Sequence, residues 1–196
     1  MADRLYLNLW FPGFSEAEIL PHLLCVLRQF PFSAERPGIG YVAVHPLSWN
    51  EPVIYQESFD FCADPERAVE LAREFLHDDN AYELEALWDL WALSEAGAWE
   101  DLPRPVRFLA HGLYFDDGHY EQNGHIQVDL GPDTPFLYED VRLTPISEAR
   151  VRANVQKLVE FTAAVEKNCA PSARLLWSES EENLAQKLIA RLQKVQ

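Results

Sequence analysis

Two segments between residues 105 and 130 constrain the fold most, because they predict a pair of neighbouring β-strands. Residues 106–115 form an apolar and aromatic run with two strongly polar side chains, Arg107 and His111, as in a strand buried on both faces. Residues 125–130 alternate between polar and apolar side chains, which is typical of a half-buried strand. The segment between them contains two glycines and one asparagine, residues that adopt positive φ angles in turns. The sequence therefore predicts a β-hairpin.

This hairpin also concentrates groups that can exchange protons. It contains three of the six histidines of the chain, among several carboxylates. With the turn centred near Tyr120, His111 would lie opposite Asp129, about 5 Å away at Cβ. A carboxylate at that distance favours the charged imidazole and fixes its tautomer. We therefore predict His111 and Asp129 as a catalytic acid–base pair, provided that the register places them on the same face.

The same segment offers donor atoms for a divalent metal ion. The candidate ligands are His111, His119, His125 and Asp116. Their spacing matches no known ligand motif. The alternative interpretation is a hydrogen-bonded strand histidine beside a solvated acidic turn. A metal cofactor is expected only if the protein is an enzyme.

Charge is distributed unevenly along the chain, whose net charge is −16. Residues 1–140 carry 26 acidic and 7 basic side chains, and residues 141–196 carry 6 and 9. Such an acidic chain repels nucleic-acid phosphates and anionic membranes, so we expect it to bind neither nucleic acid nor membranes. The acidic portion is either a solvated surface or a face that binds a basic partner protein. The charge division also permits self-association.

The three cysteines, Cys25, Cys62 and Cys169, are far apart and form no CxxC motif. This pattern predicts free thiols in a reducing compartment. The N-terminal residues lack the charged and apolar regions of a signal peptide. No apolar stretch approaches the roughly 20 residues that span a bilayer. We therefore expect a cytoplasmic protein.

Elsewhere, patterns of apolar residues and capping signals alternate between strands and helices. Asp64 and Pro65 predict a helix start, and Ser15 with Glu18 a capping box. A further helix is predicted from a capping pair and helical spacing in residues 80–91: Asn80, Glu83, Leu84, Leu87, Trp88 and Trp91. Beside Glu83, Glu85 and Asp89, the two tryptophans would form either a groove for a cationic ligand or part of the core.

The order of elements predicts an α+β fold with a largely antiparallel sheet covered by helices on one side. Each half of the chain is compatible with a split-βαβ, ferredoxin-like unit. Residues 97–105 contain two prolines and one glycine, so they are the best candidate for a linker. The expectation is a single compact domain over residues 1–196, or two subdomains, 1–97 and 105–196, joined by that linker.

The chain contains no glycine pattern of a dinucleotide- or phosphate-binding loop, and none of the common hydrolase or zinc motifs. Catalysis is left open by this absence, because many sites have no local signature. Two hypotheses follow. The favoured one is a non-catalytic protein-binding module that uses the acidic N-terminal portion. The alternative is a small metal-dependent or acid–base enzyme with its site on the 105–130 hairpin.

Overall fold

The computed structural model describes residues 3–138, 141–179 and 183–193. The strands are β1 (Arg4–Trp10), β2 (Ile39–Pro46), β3 (Tyr55–Ala63), β4 (Asn80–Leu93), β5 (Trp99–His111), β6 (Ile126–Pro132) and β7 (Ala173–Ser178). The helices are α1 (Glu16–Gln29), α2 (Pro65–Arg73), α3 (Tyr120–Asn123), α4 (Thr134–Leu137), α5 (Pro145–Cys169) and α6 (Leu184–Gln193).

All seven strands belong to one antiparallel sheet in the order β3-β2-β4-β5-β6-β1-β7. Helices α1, α2 and α5 pack on the sheet, which confirms the predicted α+β class. The predicted ferredoxin-like halves are not confirmed, since all strands form a single sheet in which β1 of the first half lies between β6 and β7 of the second. The division into domains stays a prediction.

One face of the sheet forms the hydrophobic core against the helices. Alternate residues of each central strand point into it, among them Leu84 and Trp88 of β4 and Phe108 of β5, all at most 1% exposed. The Trp88 ring lies 5.5 Å from the ring of Phe30, which follows α1, and 6.3 Å from Phe161 of α5. Aromatic side chains from both long helices therefore meet the middle of the sheet in one continuous core.

Helix starts follow the capping signals only in part. Asp64 caps α2 as predicted, accepting a hydrogen bond from the Arg67 backbone N–H at 2.8 Å, with Pro65 as the first helical residue. Ser15 precedes α1, but its side chain makes no capping hydrogen bond, so the predicted capping box is not formed. Pro21 is accommodated within a continuous α1.

The predicted helix over residues 80–91 is wrong, because this segment is the 14-residue strand β4. Residues 99–105, which fall within the predicted linker, form the first half of β5 and pair with β4. The period-2 alternation of buried residues in β4 decides its structure: Tyr82, Leu84, Ala86, Trp88 and Leu90 all face the core. The long partner strand β5 makes this extended conformation the better way to bury them.

The β5–β6 pairing is confirmed, but the predicted register is wrong by four positions. Arg107, not His111, lies opposite Asp129. The strand ends at His111 because Gly112 brings the chain against the backbone of Asp78, where an added Cβ would lie 2.1 Å from the Asp78 carbonyl oxygen. A 3-10 turn and the short helix α3 follow before β6 begins.

Two of the three cysteines are paired. Cys25 of α1 and Cys169 at the end of α5 form a disulfide whose Cα atoms are 5.8 Å apart, and Cys62 is free. The prediction of free thiols is therefore wrong for Cys25 and Cys169. The two residues are 144 positions apart in the sequence, and they meet only because α1 packs against α5. The cytoplasmic location stays a prediction that has lost its argument from free thiols.

Candidate functional site

The sheet face opposite the core carries a row of charged side chains, one on each of five neighbouring strands. We call this row the charge ladder: His45, Glu83, Arg107, Asp129 and Arg4, on β2, β4, β5, β6 and β1. His45 Nε2 lies 2.8 Å from Glu83 Oε2, and Arg107 contacts Glu83 at 3.5 Å and Asp129 at 2.7 Å. Arg4 closes the row at 2.6 Å from Asp129. Basic and acidic side chains therefore alternate from strand to strand.

Asp129 holds one end of the ladder in place. Its side chain has no solvent exposure, and it accepts hydrogen bonds from Arg4, from Arg107 and from the backbone N–H of Gly131. Both arginine side chains are 39% exposed. A buried carboxylate is tolerated only when its charge is paired and hydrogen-bonded, so Asp129 orients both guanidinium groups.

Glu83 occupies the middle of the ladder and is largely buried. The hydrogen bond with His45 lowers the pKa of Glu83, and the charge of Arg107 lowers it further, whereas burial opposes both effects. Glu83 is therefore an ionised carboxylate whose charge is neutralised by its neighbours.

Beside the ladder, the same face contains an open groove with a volume of about 470 Å³. Its lining combines polar side chains of β2, β3 and β4 with the segment before β2, among them Arg36, Tyr41, Ser58, Cys62, Glu83 and Glu85. The two glutamates follow the alternation of β4, so both point to this face while Leu84 points into the core. The remaining lining residues are Gly38, Gly40, Ala86, Leu87 and Pro105, so the groove offers charged groups beside apolar surface.

Glu85 differs from Glu83 because its cross-strand neighbour, Arg107, makes its close contacts to Glu83 and Asp129 instead. Within the described parts of the chain, Glu85 makes no hydrogen bond or ion pair, and the one basic residue among those lining the groove, Arg36, is not paired with it. Burial raises the pKa of Glu85, the charge of Glu83 raises it further, and Arg107 only partly offsets this. The groove therefore holds a partly buried carboxylate that a positive charge would stabilise.

The histidines of the predicted site lie at one end of this face. His111, the last residue of β5, is fully buried, and its Nδ1 lies 2.8 Å from the Gly124 carbonyl oxygen. This assigns the Nδ1–H as donor and leaves Nε2 as a buried acceptor with no hydrogen-bond partner among the described residues. Burial lowers the pKa of His111 to about 3, so the ring is neutral at pH 7. Gly124, whose carbonyl oxygen accepts this hydrogen bond, must be a glycine, because its φ is +86° and an added Cβ would lie 2.7 Å from the Leu9 nitrogen.

Two of the predicted metal ligands join His111 there. The ring centre of His119 lies 4.8 Å from that of His111, and its Nδ1 lies 3.5 Å from the Asp116 carboxylate. The Trp49 indole N–H lies 3.5 Å from His119 Nε2. The structure therefore brings His111, His119 and Asp116 into one cluster, in which the Trp49 ring contacts both imidazoles.

The other two predicted site residues have different partners. His125 accepts a hydrogen bond from the Phe11 backbone N–H at 2.9 Å, and its ring stacks between Phe14 and Tyr120. Burial lowers its pKa to about 4. Asp129 belongs to the ladder, where Arg107 takes the place predicted for His111.

No group of three or more histidine, cysteine, aspartate or glutamate side chains is arranged to hold a metal ion in residues 3–138, 141–179 and 183–193. The metal ligands and the acid–base pair predicted on the hairpin stay predictions. Sequence reasoning missed the ladder itself. Its only visible signal was Arg107, a charged residue inside an apolar strand, whose partners come from distant segments and depend on the strand order.

The chain shows no similarity to known proteins by which a function could be transferred: no protein-family model matches it, and neither the curated proteins nor the solved structures contain a significant match. No helix in the described parts of the chain is long and apolar enough to cross a membrane.

Proposed function

We propose that the protein is a non-catalytic binding module in which the groove and the acidic surface around it bind a basic segment of a partner protein. One observation carries this proposal: Glu85 is partly buried in the groove and makes no hydrogen bond or ion pair with the residues that the structure describes. A carboxylate in this position raises the free energy of the unbound protein. A lysine or arginine side chain in the groove would supply the close ion pair that Arg107, directly opposite on β5, does not form with Glu85.

The charge ladder supports this function by removing competing charges. Glu83 and Asp129 are already paired with His45, Arg107 and Arg4, so neither needs a ligand. Arg107 is committed to these two carboxylates, which keeps it from neutralising Glu85 fully. The ladder therefore forms a fixed polar floor, and Glu85 is the negative charge left for the partner.

The segment that contributes Ser58, Cys62, Glu83 and Glu85 to the groove has a strong negative net charge, although α2 within it packs on the core face of the sheet. Residues 51–85, which contain β3, α2 and the first part of β4, carry 11 acidic and 2 basic side chains. Such an excess of one sign raises the association rate of an oppositely charged protein and makes binding sensitive to salt. Residues 51–85 thus supply 11 of the 26 acidic side chains of the acidic N-terminal portion.

The test compares two variants that change the net charge equally. The probe is a fluorescein-labelled peptide of nine residues in which arginine and valine alternate. We expect Glu85→Gln to weaken binding at least about tenfold, because charged hydrogen bonds contribute about 1.5–3 kcal/mol. Glu95→Gln, in the exposed β4–β5 turn, should bind like the unmodified protein.

Fluorescence polarisation at low salt measures both affinities, and added salt should weaken the binding of each protein. Equal effects of the two substitutions would show that the peptide responds only to net charge, and the proposal would then be wrong. Absence of binding to the unmodified protein would also contradict it.

A further inference from the structure

The groove contains a second charged side chain, Arg36, whose sign is opposite to that of Glu85. Arg36 is exposed and makes no hydrogen bond or ion pair with the described residues, although residues 1–140 carry 26 acidic and only 7 basic side chains. Arg36 is also not among the charges that shift the pKa of Glu85, so these two side chains do not neutralise each other. The groove therefore presents a carboxylate and a guanidinium group that can each bind a further partner.

The segment that carries Arg36 is held against β4. The backbone N–H of Ser33 donates a hydrogen bond to the Leu87 carbonyl oxygen at 2.8 Å. Glu85 lies opposite Tyr41 of β2, which follows Arg36 in the chain, and β2 runs antiparallel to β4. Arg36 therefore enters the groove from the side of Leu87, which lies two residues, or about 7 Å, beyond Glu85 along β4.

The floor between these two charged groups is open. Gly40 of β2 lines the groove, and a Cβ added to it would have one neighbour within 4 Å, the Glu85 carbonyl oxygen at 3.9 Å. Leu87 and Pro105 add apolar surface to the lining. A ligand can therefore approach the backbone between Arg36 and Glu85 and contact apolar groups on the way.

We propose that the groove binds the C-terminal residue of the basic segment, an arginine or a lysine, with its α-carboxylate on Arg36 and its cationic side chain on Glu85. This inference rests on the proposed function and specifies which end of the segment is recognised. An extended arginine side chain places its guanidinium group about 6 Å from its own Cα. That reach is comparable to the separation along β4 between Glu85 and the side from which Arg36 enters.

Charge complementarity favours a chain end over an internal basic residue. An internal lysine or arginine would pair with Glu85 but would bring no carboxylate to Arg36. A C-terminal basic residue presents both charges on one residue, and a guanidinium group can bind a carboxylate through two parallel hydrogen bonds. A volume of about 470 Å³ is also at the small end of the range for ligand pockets, as expected for one or two residues.

The decisive experiment opposes recognition of the carboxylate to attraction by charge. The nine-residue arginine–valine peptide, with arginine at both ends and the label at its N-terminus, is compared with the same peptide carrying a C-terminal amide. Amidation removes a negative charge, so attraction by charge alone predicts that this acidic protein binds the amide more tightly. We expect the amide to bind at least about tenfold more weakly, because Arg36 loses a charged hydrogen bond.

Two arginine variants test whether Arg36 is the group that binds the carboxylate. Arg36→Gln should weaken binding of the carboxylate peptide about tenfold and should remove the difference between the two peptides. Arg67→Gln, at an exposed position of α2, changes the net charge equally and should preserve that difference. A difference that persists in Arg36→Gln would contradict the proposed contact.

Cys62 reports whether the groove is occupied, because its thiol is free and lines the groove. Saturating carboxylate peptide should slow the alkylation of Cys62 by N-ethylmaleimide at least about fivefold, since a bound segment restricts access to the thiol. An unchanged rate at saturation would place the peptide outside the groove and overturn both this inference and the proposed function.

The remaining outcomes distinguish the two proposals. Equal or tighter binding of the amide, still weakened by Glu85→Gln, would overturn recognition of the C-terminus and leave the basic-segment function intact. Failure of both peptides to bind would overturn the two together. Free arginine that competes as strongly as the unlabelled peptide would overturn the assignment to a chain end and identify an amino acid as the ligand.

Discussion

The two faces of the sheet are built from the same strands, yet they differ in nearly every physical respect. In β4 and β5, Leu84 and Phe108 have no exposure and pack against helices, whereas their neighbours Glu83 and Arg107 form ion pairs on the opposite face. The core face gains stability from apolar burial, which needs no exact partner. The ladder face fixes the positions of charges. Stability and recognition are thus separated by the alternation of side chains along each strand.

The ladder face contributes orientation more than stability. Half-exposed ion pairs contribute only about 0–1 kcal/mol each, and both ladder arginines are 39% exposed. Asp129 is the exception, since its carboxylate is fully buried and depends on the arginines. The comparison predicts large effects from changes in the core, moderate ones at Asp129 and small ones at exposed ladder positions.

The largest effect is expected in the core. Trp88→Ala would leave a cavity between Phe30, Phe136 and Phe161, and should lower the free energy of unfolding by about 3–5 kcal/mol. Phe61→Ala is the matched control, because its ring is already in water, and should change stability by less than about 0.5 kcal/mol. Urea denaturation measures both, and similar losses would contradict the assignment of the two faces.

A smaller effect is expected where the ladder is buried. Every contact to the Asp129 carboxylate is a donor, so an amide in Asp129→Asn would direct its own N–H groups at one of them. We expect a loss of about 1–3 kcal/mol. Asp60→Asn, on the exposed part of β3, should be neutral. Unchanged stability of Asp129→Asn in urea would mean that the buried carboxylate does not depend on its arginine partners.

The sequence predicted the fold class because the apolar patterns of most elements are unambiguous. Residues 80–91 show where such patterns fail: leucines and tryptophans recur there at both helical and strand spacing, and a capping pair favoured the helix. The deciding factor was β5, a partner of nearly equal length that begins in a segment with two prolines. Without knowledge of the pairing, Pro103 and Pro105 indicate a linker.

The site was predicted less well, because it depends on pairings over long distances in the chain. His111 and Asp129 were correctly placed on adjacent strands, but the turn contains a 3-10 turn and α3, which shift the register by four positions. His45, Glu83 and Arg4 meet Arg107 and Asp129 only through the strand order β2-β4-β5-β6-β1. Local sequence contains no information on that order, nor on the pairing of Cys25 with Cys169.

The last effect is a gradual dependence of stability on pH. It arises at the buried end of the ladder face, where His111 is neutral. Its pKa is about 3 in the folded protein, against 6.5 for an exposed histidine. Above pH 6.5 both states are neutral, so His111 adds no pH dependence. As the pH falls below that value, the unfolded chain binds a proton that the folded chain excludes. Stability should therefore decrease by up to about 1.4 kcal/mol per pH unit.

The variant His111→Asn can keep an N–H near the Gly124 carbonyl but cannot titrate, so its stability should depend less on pH between 6.5 and about 5, where most carboxyl groups stay ionised. The control is His77→Asn, because the side chain of His77 is 61% exposed. The His77→Asn variant should keep the pH dependence of stability of the unmodified protein. His125, with a pKa of about 4, should contribute in the same direction in both variants. An NMR titration in which the folded His111 ring protonates near pH 6.5 would contradict this account, because it would mean that water reaches the end of the ladder face that the structure shows as buried.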